Sequence, residues 1–228
     1  DGITIGKTVT QSLTETLQLQ TASQYNDITA IRAAILGNQF GSNAHAGSWA
    51  SLVHLHSDMY ALATHLGNWS GITTFTISSD GQTITELDFM NHDSGTGGTN
   101  SIIKVDSDTV AIAYPDITPD SIGVISTFDI DSDGNITKVD KLQHTTIGNR
   151  GYYNSLVQVD SDTYALAYVD SVMQNGGRIF ISTFDIDSDG NITAVKTQSE
   201  GNNLYLASGD GHNSLVQVDS DTYALAYT

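Results

Sequence analysis

The chain has 228 residues and no Cys, and its 26 acidic against 8 basic side chains give a formal net charge of −18. The absence of Cys excludes a disulfide scaffold, thiol catalysis and thiolate metal sites, and no apolar run is long enough to insert into a membrane. The acidic surface disfavours nucleic acid as a partner, while 39% apolar residues favour one folded domain over a disordered acidic chain.

A short predicted strand opens the chain. Residues 1–13 begin with DGITIGKTV, which aligns with DGNITKV in a later unit of the sequence. The alignment predicts a strand over Ile3–Val9. We expect this strand to complete a sheet of the kind that the later units form.

The next segment, residues 14–48, breaks the pattern of the rest and is predicted to be a helical insertion. Thr21 or Ser23 can cap a helix, and Gly37 stands where a C′ glycine is expected. A helix is therefore expected from about Ala22 to Leu36. Its apolar residues recur at helical spacing, at Tyr25, Ile28, Ile31 and Ile35.

From residue 49 onward the chain is a tandem repeat. NSLVQVDSDTYALAY occurs identically at Asn154–Tyr168 and Asn213–Tyr227, with related copies at Asn100–Tyr114 and Ala50–Thr64. A second block, of the type ISTFDIDSDGNIT, follows each of the first three copies. The units span residues 49–99, 100–153 and 154–212, with a partial unit at 213–228.

Within each unit the apolar residues alternate with period two, which predicts strands. Asp-Ser-Asp and Ser-Asp-Gly form the two hairpin turns, and Gly134 and Gly190 supply a positive φ. Each unit is thus predicted to be four antiparallel strands, a to d. The predicted fold is all-β, a β-propeller-like tandem repeat of about four blades with the last one incomplete and one short inserted helix. A β-solenoid and a set of sandwich hairpins are the alternatives.

The partial last unit predicts an open sheet edge. Strands a and b are present there, and strand c is missing. An open edge invites pairing with another chain. We expect Ile3–Val9 of the same chain, or a strand of a neighbouring copy, to complete it. The second route builds a homo-oligomeric ring or a filament, depending on whether the rotation closes.

The c–d turns carry the one candidate cofactor site, for calcium. D-x-D-x-D-G is typical of the start of calcium loops, because alternating carboxylates converge on a hard cation. The Glu that closes an EF-hand at position 12 is absent, and that position is Asp140 in one copy and Lys196 in the other. A plain solvated hairpin is the alternative. The candidate ligands are Asp129, Asp131 and Asp133, with Asp185, Asp187 and Asp189 in the next unit.

The b–c and d–a connections vary in length and sequence between units, whereas the strands barely change. Variable loops on a rigid scaffold are typical of recognition surfaces, although unconstrained drift would look the same. Aromatic rings here can stack on sugar rings, and polar side chains can bind hydroxyls. The candidate ligand-binding residues are Trp69, His92, His144, Tyr152, Tyr153, Tyr205 and His212.

Two resemblances add to this interpretation. SLVQVDSDTYALAY followed by ISTFDIDSDGNIT resembles tandem repeats of proteins from marine bacteria and their phages. TASQYNDITAIRAAILG, at Thr21–Gly37, is similar to a short helical segment of structural tail proteins of marine phages. The resemblances imply a structural and recognition protein that is extracellular or part of a virion, and neither of them implies catalysis. The loop residues make a cell-surface glycan the candidate partner. A glycoside-active propeller enzyme, hydrolase or lyase, is the alternative, because acids are abundant.

Overall fold

The computed structural model describes residues 48–65, 70–93, 98–117, 120–146, 148–170, 178–199 and 213–227. Regular structure in these ranges consists of β-strands, and they include no helix. A search of the same ranges finds no helix that is long and apolar enough to cross a membrane. The predicted strand Ile3–Val9 and the predicted helix Ala22–Leu36 lie outside the described residues.

Within the described ranges, fourteen strands form four antiparallel sheets in chain order, and in each sheet the strands pair in sequence order. The prediction of tandem four-stranded antiparallel sheets, three complete and one partial, is therefore confirmed. The first sheet contains β1 (Ser48–His56), β2 (Met59–His65), β3 (Ser70–Ile77) and β4 (Ile84–Asp93). The second contains β5 (Ser101–Lys104), β6 (Thr109–Asp116), β7 (Ile122–Ile130) and β8 (Ile136–Gln143). The third contains β9 (Tyr152–Gln158), β10 (Thr163–Asp170), β11 (Arg178–Ile186) and β12 (Ile192–Ser199), and the fourth β13 (Asn213–Gln217) and β14 (Tyr223–Tyr227).

Consecutive sheets pack face to face with small side chains against large ones. On one face of the second sheet, Ala111 and Ala113 are fully buried, and they share an apolar cluster with Leu156, Tyr164 and Leu166 of the third sheet. The alternation of Ala with Leu and Tyr along strand b therefore gives each sheet a shallow face and a bulky one. Burial of these faces is the main source of stability in a fold with many short strands.

The first strands of successive sheets are tied by a repeated serine hydrogen bond. The hydroxyl of Ser101 accepts the backbone N–H of Leu156 at 3.0 Å, and that of Ser155 accepts the N–H of Leu215 at 2.8 Å. Ser51 receives the N–H of Ile102 at 3.2 Å in the same way. These serines open the sequence repeat, so their recurrence has a structural cause at each junction between sheets.

The outer strands use two further residues of the repeat. Thr74 donates to the carbonyl of Gly134 in the next sheet at 2.6 Å, and Thr127 donates to the carbonyl of Gly190 at the same distance. Both threonines are fully buried. Each glycine has a positive φ, 87° and 77°, which the turn requires. The c–d turns of the second and third sheets are therefore each held by the preceding sheet.

Candidate functional site

The strand order separates two ends of each complete sheet. Because neighbouring strands are antiparallel and pair in sequence order, the a–b and c–d turns lie at one end, which we call the turn end. The b–c connections and the links from strand d to the next sheet lie at the other, which we call the connection end. The candidate calcium ligands belong to the turn end, and the candidate glycan ligands belong to the connection end.

At the turn end, Asp131 organises its own hairpin. Its Oδ1 accepts the backbone N–H of Asp133 and of Asn135, both at 2.9 Å, and its Oδ2 accepts the side-chain amide of Asn135 at 2.8 Å. The Asn135 side chain and then the backbone amides hold the pKa of the Asp131 carboxyl below its ordinary value. Asp187 repeats the arrangement with Asn191. The carboxylate thus stabilises the turn without a metal.

The remaining turn aspartates divide into two kinds. Asp129 accepts the hydroxyl of Thr109 at 3.1 Å, and Asp185 accepts that of Thr163 at 2.8 Å, so each ties strand c to strand b. Asp133 and Asp189 are exposed at the tip of the turn. Among the described residues, no group of three or more acidic or His side chains is placed to hold a metal ion. Calcium binding and the plain solvated hairpin therefore both stay open as interpretations of these turns.

At the connection end, the structure describes four of the seven candidate ligand residues. Tyr152 and Tyr153 are half-buried at the start of β9, with ring centroids 6.1 Å apart. Arg150 donates to the Tyr152 hydroxyl at 2.7 Å and lies 6.0 Å from the centre of its ring. This places two aromatic rings and a cation together, a combination suited to polar ring-shaped ligands. Three candidates lie outside the described residues: Trp69, Tyr205 and His212.

The histidines at this end pack inside the molecule. The ring of His92 contacts Tyr114 of the next sheet with centroids 4.4 Å apart, and His144 contacts Tyr168 at 4.5 Å. Within the described part of the chain, the buried nitrogens of both rings have no hydrogen-bond partner. Burial lowers the pKa of both imidazoles to about 3. The structure thus gives both rings a packing role between sheets, where we expected contact with a ligand.

An ionic cluster at the connection end was not predicted from the sequence. Lys141 Nζ lies 2.7 Å from Asp116 and 3.1 Å from Asp93, whose side chains are only 7% and 9% exposed. Burial raises the pKa of Asp93, against the effect of the Lys141 hydrogen bond. Burial acts to lower the pKa of Lys141, but its bonds to the two carboxylates raise it above its ordinary value. The cluster joins the ends of three strands, β4, β6 and β8.

One sequence signal could have pointed to this cluster. An Asp stands two residues after the strand-b Tyr in two units, as Asp116 after Tyr114 and Asp170 after Tyr168. The partners Asp93 and Lys141 carry no such signal, because their equivalents differ from unit to unit. Whether Asp93 and Lys141 come into contact depends on how adjacent sheets are placed.

No protein-family model matches the chain, and no curated protein sequence matches it. Among solved structures, the chain is similar to Sqt1 from Saccharomyces cerevisiae, with a TM-score of 0.45 and 12% identity over 74% of this chain and 38% of Sqt1. It is similar to a thermostable family-43 glycoside hydrolase, with a TM-score of 0.43 and 10% identity over 79% of this chain and 67% of that one. A protein from Lactobacillus plantarum gives a TM-score of 0.39 and 15% identity over 79% and 64%. The chain thus spans well under half the length of Sqt1, and its similarity to β-propeller proteins is distant.

Proposed function

We propose that the chain is a non-enzymatic structural and recognition protein, extracellular or virion-associated, that binds a cell-surface glycan through its connection end. The observation that supports this best is that residues which recur between units and residues which vary have different roles. Side chains that recur between units, such as Ser101, Thr127 and Asp131, are engaged in hydrogen bonds within and between sheets. Hydrogen bonding within the scaffold therefore explains why these residues recur. The variable connections are available for recognition.

The binding chemistry that we propose is aromatic stacking with polar support. Tyr152 and Tyr153 supply half-buried rings on a strand whose position is fixed by neighbouring sheets, so little conformational entropy is lost on binding. Tyr153 has φ 55°, an uncommon conformation for a non-Gly residue. Such strain recurs at functional sites. Trp69, Tyr205 and His212 belong to the same proposal through their places in the connections.

A glycan array probed with the full chain tests the proposal. We expect retention of a subset of glycans, weakened about tenfold by Tyr153→Asn, a residue type that tolerates a positive φ. Phe89→Thr is the matched control, because Phe89 is an exposed ring, 39% accessible, within strand β4. Equal loss in both variants, or binding to no glycan, would contradict the proposal.

The Asp93–Asp116 pair favours one alternative, a glycoside-active enzyme of hydrolase or lyase type. Two carboxylates that share one Lys, with the pKa of Asp93 raised by burial, match the acid/base requirement of such chemistry. Their low exposure and their direct bonds to Lys141 favour a structural role. A panel of chromogenic glycosides separates the two: turnover that Asp93→Asn abolishes would establish the enzyme.

Assembly into a closed propeller ring or into a filament is the structural part of the proposal. Each described sheet packs against the next through the same type of face, so the stacking is directional. Directional, head-to-tail contacts build rings or open filaments. Electron microscopy of isolated particles distinguishes these two outcomes directly.

A further inference from the structure

The ring of His144 fills a slot between three parts of the fold at the connection end. Its Cε1 atom lies 2.5 Å from the position that a Cβ on Gly123 would take, and 2.8 Å from that of a Cβ on Gly151. The Tyr168 ring of the next sheet forms the third side, with centroids 4.5 Å apart. Gly151 has φ 56°, a conformation that favours glycine. The slot therefore fits a flat ring and depends on two glycines.

The same ring supports the connection from β8 to β9, which we call the second link (residues 144–146 and 148–151). The backbone N–H of His144 donates to the carbonyl of Gly123 at 2.9 Å. The N–H of Gly123 in turn donates to the hydroxyl of Thr145 at 2.6 Å. The start of the second link is thus bonded to its own sheet on both sides of the slot.

The second link ends at the two tyrosines of the proposed glycan site. Gly151, which contacts the His144 ring, is followed directly by Tyr152 and Tyr153. Its carbonyl accepts the side-chain amide of Asn154 at 2.9 Å. The position of Gly151 against the ring therefore determines where the chain enters β9 and where both tyrosines stand.

A charged imidazole does not fit the closed slot. Both ring nitrogens of His144 are buried, and neither has a hydrogen-bond partner among the described residues. An imidazolium carries two N–H donors and loses its hydration on burial, so burial lowers the pKa of His144 to about 3. Protonation therefore favours an open slot, in which the ring reaches water.

The charged groups around the slot do not offset this cost. The titratable and charged side chains that lie along the chain beside its contact points are Asp120, Lys141, Arg150, Tyr152, Tyr168, Asp170 and Asp185, with Arg178 opposite Asp170. Lys141 and Arg150 are bonded elsewhere, to carboxylates and to a tyrosine hydroxyl. The pKa of His144 is lowered by burial without a contribution from any of these groups.

We propose that His144 makes the glycan site sensitive to acid: protonation of its ring opens the slot, loosens the second link and displaces Tyr152 and Tyr153, so that a bound glycan is released. This inference rests on the proposed glycan recognition and adds its regulation by pH. His144 acts here as a positioning residue, because it reaches the glycan only through the tyrosines that it holds in place.

The first sheet carries a comparable histidine without this slot. His92 packs on Tyr114 as His144 packs on Tyr168. The position of Gly123, four residues before the buried Thr of strand c, is occupied there by Ser70. The slot lined by two glycines is therefore a feature of the second link.

The direction and size of the response follow from proton linkage. The pKa of the ring is 6.5 when it is hydrated and about 3 when it is enclosed, so the closed slot is fully favoured above pH 6.5. Below that pH, the ratio of open to closed slot rises about tenfold per unit. A glycan that binds only the closed form loses apparent affinity in proportion to the closed fraction.

Two measurements on the full chain test the proposal. A glycan array is probed at pH 7.0 and at pH 4.5, and we expect the bound signal to fall at the lower pH. Hydrogen exchange followed by NMR reports on the amides of His144 and Gly148, which donate to backbone carbonyls in the closed link. Their protection should fall by about tenfold per pH unit between pH 6 and pH 4.5, and stay below that of the β10 amides.

His144→Phe keeps an aromatic ring in the slot and removes the titrating group. We expect this variant to retain glycans equally at both pH values and to lose the pH dependence of amide protection in the second link. His92→Phe is the matched control, because it makes the same change at a sheet junction that does not lead to Tyr152. It should keep the acid response of the natural sequence.

Amide protection needs no ligand, so it separates two failures. Array binding that persists unchanged from pH 7.0 to pH 4.5 would overturn the acid response and leave glycan recognition intact. An array without bound glycan would overturn recognition and the release with it, and protection that is independent of pH would refute the opening of the slot as well. An acid response that His144→Phe retains, or that both variants lose equally, would assign it to other groups.

Discussion

Asp140 Oδ2 accepts the backbone N–H of Ile192, 2.9 Å away in the following sheet, and its Oδ1 accepts the N–H of Lys141 at 2.7 Å. A single carboxylate thus joins the outer strand of one sheet to that of the next. We expect Asp140→Ala to lower the free energy of unfolding by about 2 kcal/mol, since a charge-assisted bond is lost and a half-buried amide loses its acceptor. Urea denaturation monitored by circular dichroism measures it.

Asp133→Ala is the control for that variant. It removes the same negative charge from an exposed turn position. In a chain of net charge −18, both substitutions therefore reduce the electrostatic repulsion between acidic side chains in the same way. Its effect should stay within about 0.5 kcal/mol. Equal destabilisation by both substitutions would show that the junction bond contributes nothing.

Lys141→Met should destabilise the chain by about 2 kcal/mol, because it leaves Asp93 and Asp116 without their shared counter-ion. Partial exposure of Lys141 reduces the effect below that of a fully buried pair. Adding Asp116→Asn should restore part of the lost stability, since a neutral amide then replaces one of the two carboxylates.

Lys138→Met provides the comparison for Lys141. Lys138 stands on the same strand, 5.9 Å from the centre of the Phe128 ring, and its loss should cost less than about 1 kcal/mol. Denaturation at pH 7 and at pH 5 adds a second readout. Burial raises the pKa of Asp93, so its protonation at the lower pH should reduce the loss of stability in Lys141→Met. A deficit equal at both pH values would contradict the role of charge.

Because His144 is buried, we expect the free energy of unfolding to fall in mild acid. Its pKa in the folded state is lowered to about 3 by burial, from an ordinary value near 6.5, so the unfolded chain binds the proton first. The stability contribution is therefore complete above pH 6.5 and declines as the pH falls, by about 1.4 kcal/mol per unit. His92 adds to the slope with the same sign.

His144→Phe should remove half of that slope between pH 6 and pH 4.5, whatever its effect on stability at pH 7. The window lies above the range in which the turn aspartates titrate, since the pKa of Asp131 and Asp187 is held below 3.8. His54→Phe, on an exposed part of β1, is the control for replacing an imidazole by a phenyl ring at a site outside the sheet junctions. An unchanged slope in His144→Phe would mean that the imidazole is hydrated.

Calcium should leave the melting temperature unchanged relative to EDTA. The carboxylate oxygens of Asp131 and Asp187 already accept N–H groups of their own turns, and a cation would have to displace them. Metal that binds only the folded state stabilises by about 2.7 kcal/mol at a hundredfold excess over Kd, an effect easily seen by calorimetry. An upward shift in millimolar Ca²⁺ would support the metal alternative.

The sequence predicts the sheets well because its signals are local. Period-two alternation in Tyr164–Tyr168 and the positive φ of Gly190 depend only on neighbouring residues, and both hold in the structure. The alternation of Ala with Leu and Tyr along strand b corresponds to packing between the second and third sheets. Repetition strengthened each signal, since the same pattern appeared several times.

The candidate site was harder to predict because its contacts lie between sheets. The sequence makes His144 a candidate loop ligand, since nothing in QHTTIG shows that its ring contacts Tyr168 of the next sheet. Asp140 stands out in the sequence only at the closing position of a calcium loop, although it recurs as Asp88 in the first unit, where each Asp lies opposite a Thr of strand c. Comparison of the units at that register would have revealed a junction residue.

The identity of residues 154–168 and 213–227 has a consequence for how this chain varies over generations. Where the coding DNA of the two stretches is also alike, unequal recombination between them removes or adds one whole unit of 59 residues. Because Ser101 and Ser155 make the same bond to the sheet that follows, either product presents each sheet with a neighbour that it already fits. The number of sheets can therefore change in one genetic step without a new interface.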